Sequence, residues 1–588
     1  MIPMQPGASN DSQKFITRTR FWYALIVVAC AIFVIRLFYL QVIKYDFYRK
    51  TALAGQFKEY EVPAERGRIK AHDGNNVVPI VLNEKKYTLF ADPKYIKNQE
   101  DTAEQIQKII GGNTQDYISK MSQDTRYAIL QKKLSKEQAE QIDELEIKGI
   151  GTREEVYRTY PQGELAAQVL GFVNDEGSGS YGIEEYLNDR LQGEPGQLKA
   201  ITDASGVPLV SNKDNIIEDA VAGDDIILTL DISMQKQLEE ILKAGLERAR
   251  SQSGSALIMD TNTGAIKAMA NLPTYNPAEF YKVEDANVFI NAAVGTPLEV
   301  GSTMKPLTAA AALNNGSVQK DSSYYDPSKF VVDNETISNI EEDGGPGTKN
   351  VADILQLSLN TGASWLLMQM GGGQINEQAR KTWYDYMTNH YGFGKKTNIE
   401  QGYEGEGYIP SPVDGYGLNI QYANTAFGQG MTATPLQMGA ALSSVINGGT
   451  YYRPRLVDAY INGQGEEQTV APEVVRSDVV SPGVSQTMIE LMEYTARKNR
   501  YTNMRPGYVI GGKTGTAQIT RPEGGYYEDK YNGTFIGFVG GDKPQYTIVV
   551  LVREPKIPGY AGSQAAAPIF SNVVNMLIDS LAVTPKTT

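Results

Sequence analysis

The chain has 588 residues, of which 41% are hydrophobic and 21% charged, and its formal net charge is −14. This length predicts two or three domains with ample apolar material for their cores. The acidic balance excludes nucleic acid as the main partner, because phosphate binding needs clustered Lys and Arg. The single cysteine excludes a disulfide framework, and His72 and His390 are too isolated to form a zinc site, so no metal or cofactor is expected.

The N-terminal region predicts a membrane anchor. Residues 1–20 are polar and are expected to form a flexible cytoplasmic tail. Residues 21–40 read FWYALIVVACAIFVIRLFYL, about the length at which a helix crosses a bilayer. The alternative is a cleaved signal peptide, but the run is long and no small-x-small site directly follows it. Basic residues stand on both sides, so the positive-inside rule does not decide the orientation.

Residues 41–250 mix strand-like and helical stretches and are expected to form one elongated α/β domain. A short amphipathic helix is predicted among the glycine-rich turns of residues 177–196. Either Asp231 or Ser233 could cap the last helix of this region. The other predicted elements here are strands at 65–69, 87–91 and 225–230, and helices at 135–146 and 233–250.

Residues 251–588 are expected to form a second, α+β domain. Two apolar strands, 256–259 and 265–270, are separated by DTNTG, a strong hairpin signal. Because strands are predicted at both ends of this segment with helices between them, its sheet should join the two ends. The remaining predicted elements are helices at 305–313, 351–370 and 567–581, and strands at 535–539 and 546–552.

Candidate chemistry begins with Ser302 and Lys305, in the run GSTMKPL. At the start of a helix, residues three apart share one face, with about 5–6 Å between their Cβ atoms. A lysine whose pKa is lowered by its surroundings can accept the serine proton and so activate the nucleophile. The same spacing recurs at Ser317 and Lys320, but that copy is followed by a polar run and is typical of a solvated loop.

Two further motifs follow. The only Ser-x-Asn of the chain is Ser358 with Asn360, between apolar helical stretches, where a helix break capped by both side chains is the alternative interpretation. The only Lys-Thr-Gly is residues 513–515, in a strand-like run. Residues 507–514 also match the phosphate-loop pattern G-x-x-x-x-G-K-[ST], but that loop requires a preceding strand and a helix beginning at the Lys-Thr pair, and neither is predicted here.

Ser-x-x-Lys, Ser-x-Asn and Lys-Thr-Gly in this order resemble penicillin-binding proteins and serine β-lactamases. RGRI at 66–69, YRTYP at 157–161 and GIEEY at 182–186 resemble the pedestal, or dimerisation-like, domain of class B enzymes, the monofunctional peptidoglycan D,D-transpeptidases. YGFG at 391–394 and FGQG at 427–430 resemble their transpeptidase domain. The likeness is greatest to the division-specific, septal type. It implies a tail at 1–20, a transmembrane helix at 21–40, a pedestal at 41–250 and, at 251–588, a transpeptidase domain with an antiparallel sheet flanked by helices.

The resemblance also implies roles for the motif residues. Ser302 would attack the penultimate D-Ala carbonyl of a stem peptide, with Lys305 as its base. Ser358 would relay the proton to the leaving amine, Asn360 would hold Lys305 and the substrate amide, and Lys513 would supply positive charge. The substrate-binding residues would be Thr514, Gly515 and Thr516, with the oxyanion hole formed by the backbone N–H groups of Ser302 and Thr516.

Several alternatives share these motifs: an elongation-type transpeptidase, a D,D-carboxypeptidase, a β-lactamase or β-lactam sensor, and a catalytically idle scaffold. The expected location is the cytoplasmic membrane, with a single span and extracytoplasmic C-terminal domains. The partners implied by the resemblance are peptidoglycan stem peptides, β-lactams, a SEDS-family glycan polymerase and other division proteins.

Overall fold

A computed structural model describes residues 11–48, 57–201, 216–340, 345–502 and 504–587. It divides into two compact units. One comprises Met1–Ala64 with Glu194–Val221, and the other comprises Glu65–Gly193 with Ala222–Thr588.

The helices are α1 Asp11–Phe38, α2 Gln99–Ile110, α3 Thr114–Met121, α4 Lys136–Asp143, α5 Ala167–Leu170, α6 Gly182–Tyr186, α7 Asn188–Gln192, α8 Ile232–Ala249, α9 Ala292–Gly295, α10 Lys305–Asn314, α11 Val351–Gln356, α12 Asn360–Met370, α13 Glu377–Asp385, α14 Leu418–Thr425, α15 Pro435–Ile446, α16 Pro482–Asn499 and α17 Ala567–Asp579. Short 3₁₀ segments cover Pro277–Lys282, Ala286–Phe289 and Gly301–Met304, and π-helical turns cover Tyr39–Ile43, Tyr386–His390 and Gly562–Ala566.

The strands are β1 Phe57–Val62, β2 Ile69–Asp73, β3 Asn76–Ala91, β4 Ala128–Leu134, β5 Ile150–Thr159, β6 Phe172–Val173, β7 Gly179–Ser180, β8 Gly196–Ile201, β9 Ile216–Glu218, β10 Asp225–Asp231, β11 Ser253–Asp260, β12 Ile266–Leu272, β13 Ser323–Asp326, β14 Lys329–Val332, β15 Glu335–Ser338, β16 Gly347–Asn350, β17 Tyr451–Tyr452, β18 Val457–Ile461, β19 Glu467–Thr469, β20 Val474–Arg476, β21 Val509–Thr520, β22 Tyr526–Gly540 and β23 Pro544–Arg553.

The first unit contains α1 and a three-stranded antiparallel sheet in the order β1-β8-β9. Thr19–Ile43 has a mean hydropathy of 2.5 and is long and apolar enough to cross a membrane, by its length and composition. The prediction of a flexible tail is wrong for residues 11–20, because the helix already begins at Asp11. Residues 1–10 lie outside the described residues.

In the second unit, one sheet runs in the order β19-β18-β10-β2-β3-β4, with β5 also paired to β3. The predicted strand at 65–69 is wrong for most of its length, since β2 begins only at Ile69. The reason is that the preceding backbone N–H groups bond outside a ladder: Gly67 N donates to Leu191 O at 2.7 Å, and Arg68 N donates to the Asp225 carboxylate at 2.6 Å. The helix after β10 is confirmed, and its cap is Asp231, whose side chain accepts from Met234 N.

A buried cluster of ion pairs joins α6 to β5 and to the segment that precedes β2. The carboxylate of Glu184, which is fully buried, accepts from Arg66 Nε at 2.9 Å and from Arg158 Nε at 2.7 Å. The two arginine side chains are only 11% and 5% exposed. Such a cluster is stable only while each charge keeps its partners, because an unpaired ion is costly to bury.

The other large sheet is antiparallel, in the order β12-β11-β23-β22-β21. As predicted, it joins the start and the end of its segment. Both faces of β11 are buried: Ala256 and Ile258 pack in a core with α8 and α17, whereas Leu257 and Met259 pack in the core that contains α15. Burial on both faces explains why its sequence is a continuous apolar run.

The predicted helix over 351–370 is interrupted. It is divided into α11 and α12 by residues 357–359, and Ser358 has φ = +60°. A non-glycine residue in the left-handed region is uncommon, and such residues cluster at functional sites.

We expect Glu184→Ala to lower the free energy of unfolding by about 3–5 kcal/mol, because it leaves two buried guanidinium groups without their carboxylate. Thermal and urea unfolding of the full chain in detergent would measure the change. Glu154→Ala is the matched control, since Glu154 forms an exposed pair with Lys85 and its loss should change little. Equal effects of the two substitutions would contradict the prediction.

Candidate active site

Ser302 lies in the short 3₁₀ turn Gly301–Met304 that leads directly into α10. The turn is fixed by Gly301, which has φ = +59° and donates its N–H to Gly428 O at 3.0 Å. Pro306, in the first turn of α10, suits a helix start because the missing N–H is not needed there. The side chain of Ser302 is half-buried, so the local structure presents the hydroxyl at the N-terminal end of a helix.

Lys305 is one turn further on and is completely buried. Its Nζ donates to Asn360 Oδ1 at 2.8 Å, to Ser358 Oγ at 3.2 Å and to the backbone oxygen of Ser358. The ring of Phe427 lies 6.0 Å away. The Ser-x-x-Lys and Ser-x-Asn motifs therefore meet at this amine.

Ser358 bonds to both lysines of the motifs. Lys513 Nζ donates to Ser358 Oγ at 2.9 Å, on the same hydroxyl that Lys305 contacts. The left-handed φ of Ser358 ends α11 and places this hydroxyl before α12 begins at Asn360. A hydroxyl oxygen accepts two hydrogen bonds and still has a proton to donate, so Ser358 can pass protons between its neighbours.

Residues 513–516 lie in β21, the edge strand of the antiparallel sheet, as the sequence predicts. The side chain of Lys513 is 1% exposed. Thr514 Oγ1 is 3.0 Å from Tyr501 Oη, and Thr516 Oγ1 accepts from Gly562 N at 3.0 Å. The Lys-Thr pair belongs to a strand and does not begin a helix, so the phosphate-loop interpretation has no structural basis.

Gly515 allows this strand to approach the serine turn. A Cβ at this position would lie 2.7 Å from Val300 O and 2.3 Å from Thr534 Oγ1. On the other side of the contact, a Cβ at Gly301 would lie 2.8 Å from Thr516 O. The backbone of Ser302 and that of Thr516 are thereby held close together, as an oxyanion hole built from both would require.

The remaining sequence candidates lie elsewhere. His72 pairs with Asp458 at 3.0 Å and His390 Nδ1 lies 2.9 Å from Val479 O, so each imidazole has partners away from the serine turn. Lys320, of the second Ser-x-x-Lys, pairs with Glu490 on the surface.

Sequence patterns missed Glu299 and Tyr501, since neither belongs to a motif. Glu299 Oε1 accepts from Gly430 N at 2.8 Å and from Tyr526 Oη at 2.9 Å. Its Oε2 is buried and has no hydrogen-bond partner among the described residues. Burial raises the pKa of this carboxyl above its ordinary value, although the two hydrogen bonds oppose that shift.

The titration of Glu299 predicts a pH-dependent effect of Glu299→Gln. Because its pKa is raised, the folded state holds the proton more tightly than the unfolded chain does. The parent therefore loses stability as the pH rises from the ordinary carboxyl pKa through the raised one. The glutamine variant lacks this loss, so we expect its thermal midpoint to increase relative to the parent as the pH rises above the ordinary carboxyl pKa of about 4.3.

Melting curves of both proteins across this pH range would measure the difference. Glu490→Gln is the opposite control, because hydrogen bonding to Lys320 lowers the pKa of Glu490. That variant should lose stability relative to the parent as the pH rises up to the ordinary carboxyl pKa of about 4.3 and should run parallel to it above, so the melting curves also extend below pH 4. Parallel curves for Glu299→Gln and the parent would disprove the assigned shift.

Comparisons with known proteins agree on one family. Residues 254–575 match the model of the penicillin-binding protein transpeptidase domain, and residues 61–228 match the penicillin-binding protein dimerisation domain. Stage V sporulation protein D of Bacillus subtilis is 30% identical over 97% of this chain and 87% of that protein. Peptidoglycan D,D-transpeptidase FtsI of Escherichia coli K12 is 26% identical over 99% of this chain and 95% of that protein.

Solved structures show the same fold. Penicillin-binding protein 2X from Streptococcus thermophilus superposes with a TM-score of 0.71 at 23% identity, covering 89% of this chain and 80% of that one. Penicillin-binding protein 3 from Mycobacterium tuberculosis, complexed with aztreonam, gives a TM-score of 0.67 at 23% identity, covering 90% of this chain and 98% of that one.

Proposed function

The chain belongs to the class B penicillin-binding proteins, serine-type transpeptidases with a dimerisation domain, and we propose that it cross-links peptidoglycan stem peptides through an acyl-enzyme on Ser302. The observation that carries this proposal is the meeting of all three motifs at one hydroxyl: Ser358 Oγ contacts Lys305 Nζ at 3.2 Å and Lys513 Nζ at 2.9 Å.

We propose the following acylation step, which these contacts support. Ser302 Oγ attacks the penultimate D-Ala carbonyl, and its proton passes to Lys305. The amines of Lys305 and Lys513 are both buried and share the Ser358 hydroxyl. Asn360 Oδ1 holds the Lys305 amine at 2.8 Å, while Asn360 Nδ2 donates to Ser338 O at 3.0 Å, so the carboxamide is fixed at both ends.

Breakdown of the tetrahedral intermediate expels the terminal D-Ala, whose amine receives the proton through Ser358. The N–H groups of Ser302 and Thr516 stabilise the oxyanion, each worth about 2.7–4 kcal/mol in the transition state. Lys513, Thr514 and Thr516 bind the substrate carboxylate. The amine of a second stem peptide then attacks the ester, forms the cross-link and regenerates Ser302. β-Lactams acylate the same oxygen.

We further propose the septal role and the domain division. The transmembrane helix occupies residues 21–40, the pedestal 41–250 and the transpeptidase domain 251–588, with the last two domains outside the cytoplasm. Support comes from the apolar helix and from the family matches at 61–228 and 254–575. The septal role rests on the resemblance of the sequence motifs to the division-specific type.

We expect Ser302→Ala to abolish covalent labelling by a fluorescent penicillin, because the substitution removes the nucleophile. Gel fluorescence and intact-protein mass spectrometry of the full chain would measure the adduct. Ser317→Ala is the matched control, since Ser317 has the same spacing to a lysine and should label like the parent. An unlabelled parent would contradict the proposal, and rapid release of the adduct would indicate a β-lactamase.

We also propose that the anchor contacts a SEDS-family glycan polymerase in the membrane. Deletion of residues 1–40 should then abolish co-purification with that polymerase while penicillin labelling of the remaining chain persists. Normal co-purification of the deleted chain would contradict a contact through the anchor.

A further inference from the structure

Tyr501 lies between α16 and β21, and its hydroxyl contacts the Lys-Thr-Gly strand. Its Oη is 3.0 Å from Thr514 Oγ1, and its ring packs edge-on against Phe535 with centroids 5.5 Å apart. Burial raises the pKa of this phenol, so it stays protonated at neutral pH. Tyr501 is therefore a neutral hydroxyl fixed behind a residue that the proposed function places on the substrate carboxylate.

Asn499, the last residue of α16, fixes the orientation of this hydroxyl. Its Nδ2 donates to the backbone oxygen of Gln356 and to Tyr501 Oη, both at 2.8 Å. Its Oδ1 accepts from Gln356 Nε2 at 3.1 Å. A backbone carbonyl can only accept, so the atom facing Gln356 O must be the amide nitrogen, and this settles which way the carboxamide points.

These contacts give the hydrogen-bond chain one direction. Tyr501 Oη accepts from Asn499, and for its own hydrogen Thr514 Oγ1 is the acceptor in reach within the part of the chain that the structure describes. Since Thr514 Oγ1 is then an acceptor towards Tyr501, the hydrogen of Thr514 is left for another partner. A carboxylate can only accept, so it is the matching ligand.

We propose that Asn499 and Tyr501 are positioning residues that orient the Thr514 hydroxyl as a donor to the carboxylate of the stem peptide or β-lactam. This inference rests on the proposed function, which places Thr514 at that carboxylate. The hydrogen-bond chain starts at the backbone oxygen of Gln356, passes through Asn499 and Tyr501, and ends at the hydrogen of Thr514. Its effect is selectivity for an anionic substrate end.

The hydrogen bonds between Gln356 and Asn499 connect the turn at Ser358 with the strand that carries Thr514. Gln356 is the last residue of α11 and stands two residues before Ser358. Both its side chain and its backbone oxygen bond to Asn499, which in turn donates to Tyr501, the residue that contacts Thr514. The turn that carries Ser358 and the strand that carries Thr514 thus share one support.

The test compares two probes on the detergent-solubilised full chain: benzylpenicillin and its methyl ester, which lacks the carboxylate charge. The measured quantity is the second-order rate constant of acylation by benzylpenicillin divided by that for its methyl ester. Tyr501→Phe keeps the ring but removes the donor, and we expect the ratio to fall about three- to tenfold, the usual effect of one hydrogen bond. The rate with the ester should change less than about twofold.

Asn499→Asp tests the donor-to-acceptor direction of the hydrogen bonds. A carboxylate at this position cannot donate to Tyr501 and instead accepts the hydrogen of Tyr501. Thr514 then donates to Tyr501, so the Thr514 hydrogen is no longer available to the substrate carboxylate. We therefore expect a larger fall in the ratio, about tenfold or more, as for a hydrogen bond to a charged group. In a Thr514→Val background, Tyr501→Phe should cause no further change in the ratio.

Tyr275→Phe is the control for loss of a buried hydroxyl, because Tyr275 Oη donates to Ala167 O at 3.1 Å, outside this chain of bonds. It should leave the ratio unchanged. Equal loss of both rates in Tyr501→Phe and Asn499→Asp would mean a merely structural role and would overturn the proposal, as would an unchanged ratio. Absence of any adduct on the parent would instead refute the proposed function, and this inference with it.

Discussion

The hydroxyl of Ser358, bonded to two buried lysines, is the contact on which the site depends. Lys305 and Lys513 come from a helix start and from a sheet edge, and each is at most 1% exposed. Burying an amine away from water is costly unless its hydrogen bonds are replaced. Ser358, Asn360 and the backbone supply these bonds, so the rest of the fold must hold a helix start, an interhelical turn and an edge strand within a few ångströms of each other.

Small residues provide the close approach that this arrangement needs. Gly515 lies against the backbone of Val300, and Gly301 lies against that of Thr516, at distances that no side chain would permit. The antiparallel pairing of β21 with β22 fixes the register of residues 513–516, with Lys513 opposite Ile536 and Gly515 opposite Thr534. The chemistry therefore rests on backbone contacts between elements far apart in the sequence, and substitutions that leave the three motifs intact can still disrupt it.

Much of this could be predicted from the sequence because its signals are local. Asp231 as a cap, the hairpin of β11 and β12 and the strand that carries Lys513 follow from short patterns. The break at Ser358 interrupts the helix predicted over 351–370. The sequence offered this break only as an alternative, because hydrophobic periodicity does not register one left-handed residue. The strand predicted at 65–69 was wrong because its N–H groups bond to distant partners. Tyr501 and Asn499 carry no pattern at all, since tertiary contacts alone define their role.

One pairing in the fold also limits how the chain can be divided. Strand β18, from the C-terminal half, pairs with β10, which lies more than two hundred residues earlier and is itself parallel to β2. A chain begun at residue 251 would leave one side of β18 as an open sheet edge, with unpaired N–H and C=O groups available to any neighbouring molecule. Strand β10 thus covers one edge of β18, and a fragment that begins at residue 251 would be prone to self-association through that edge.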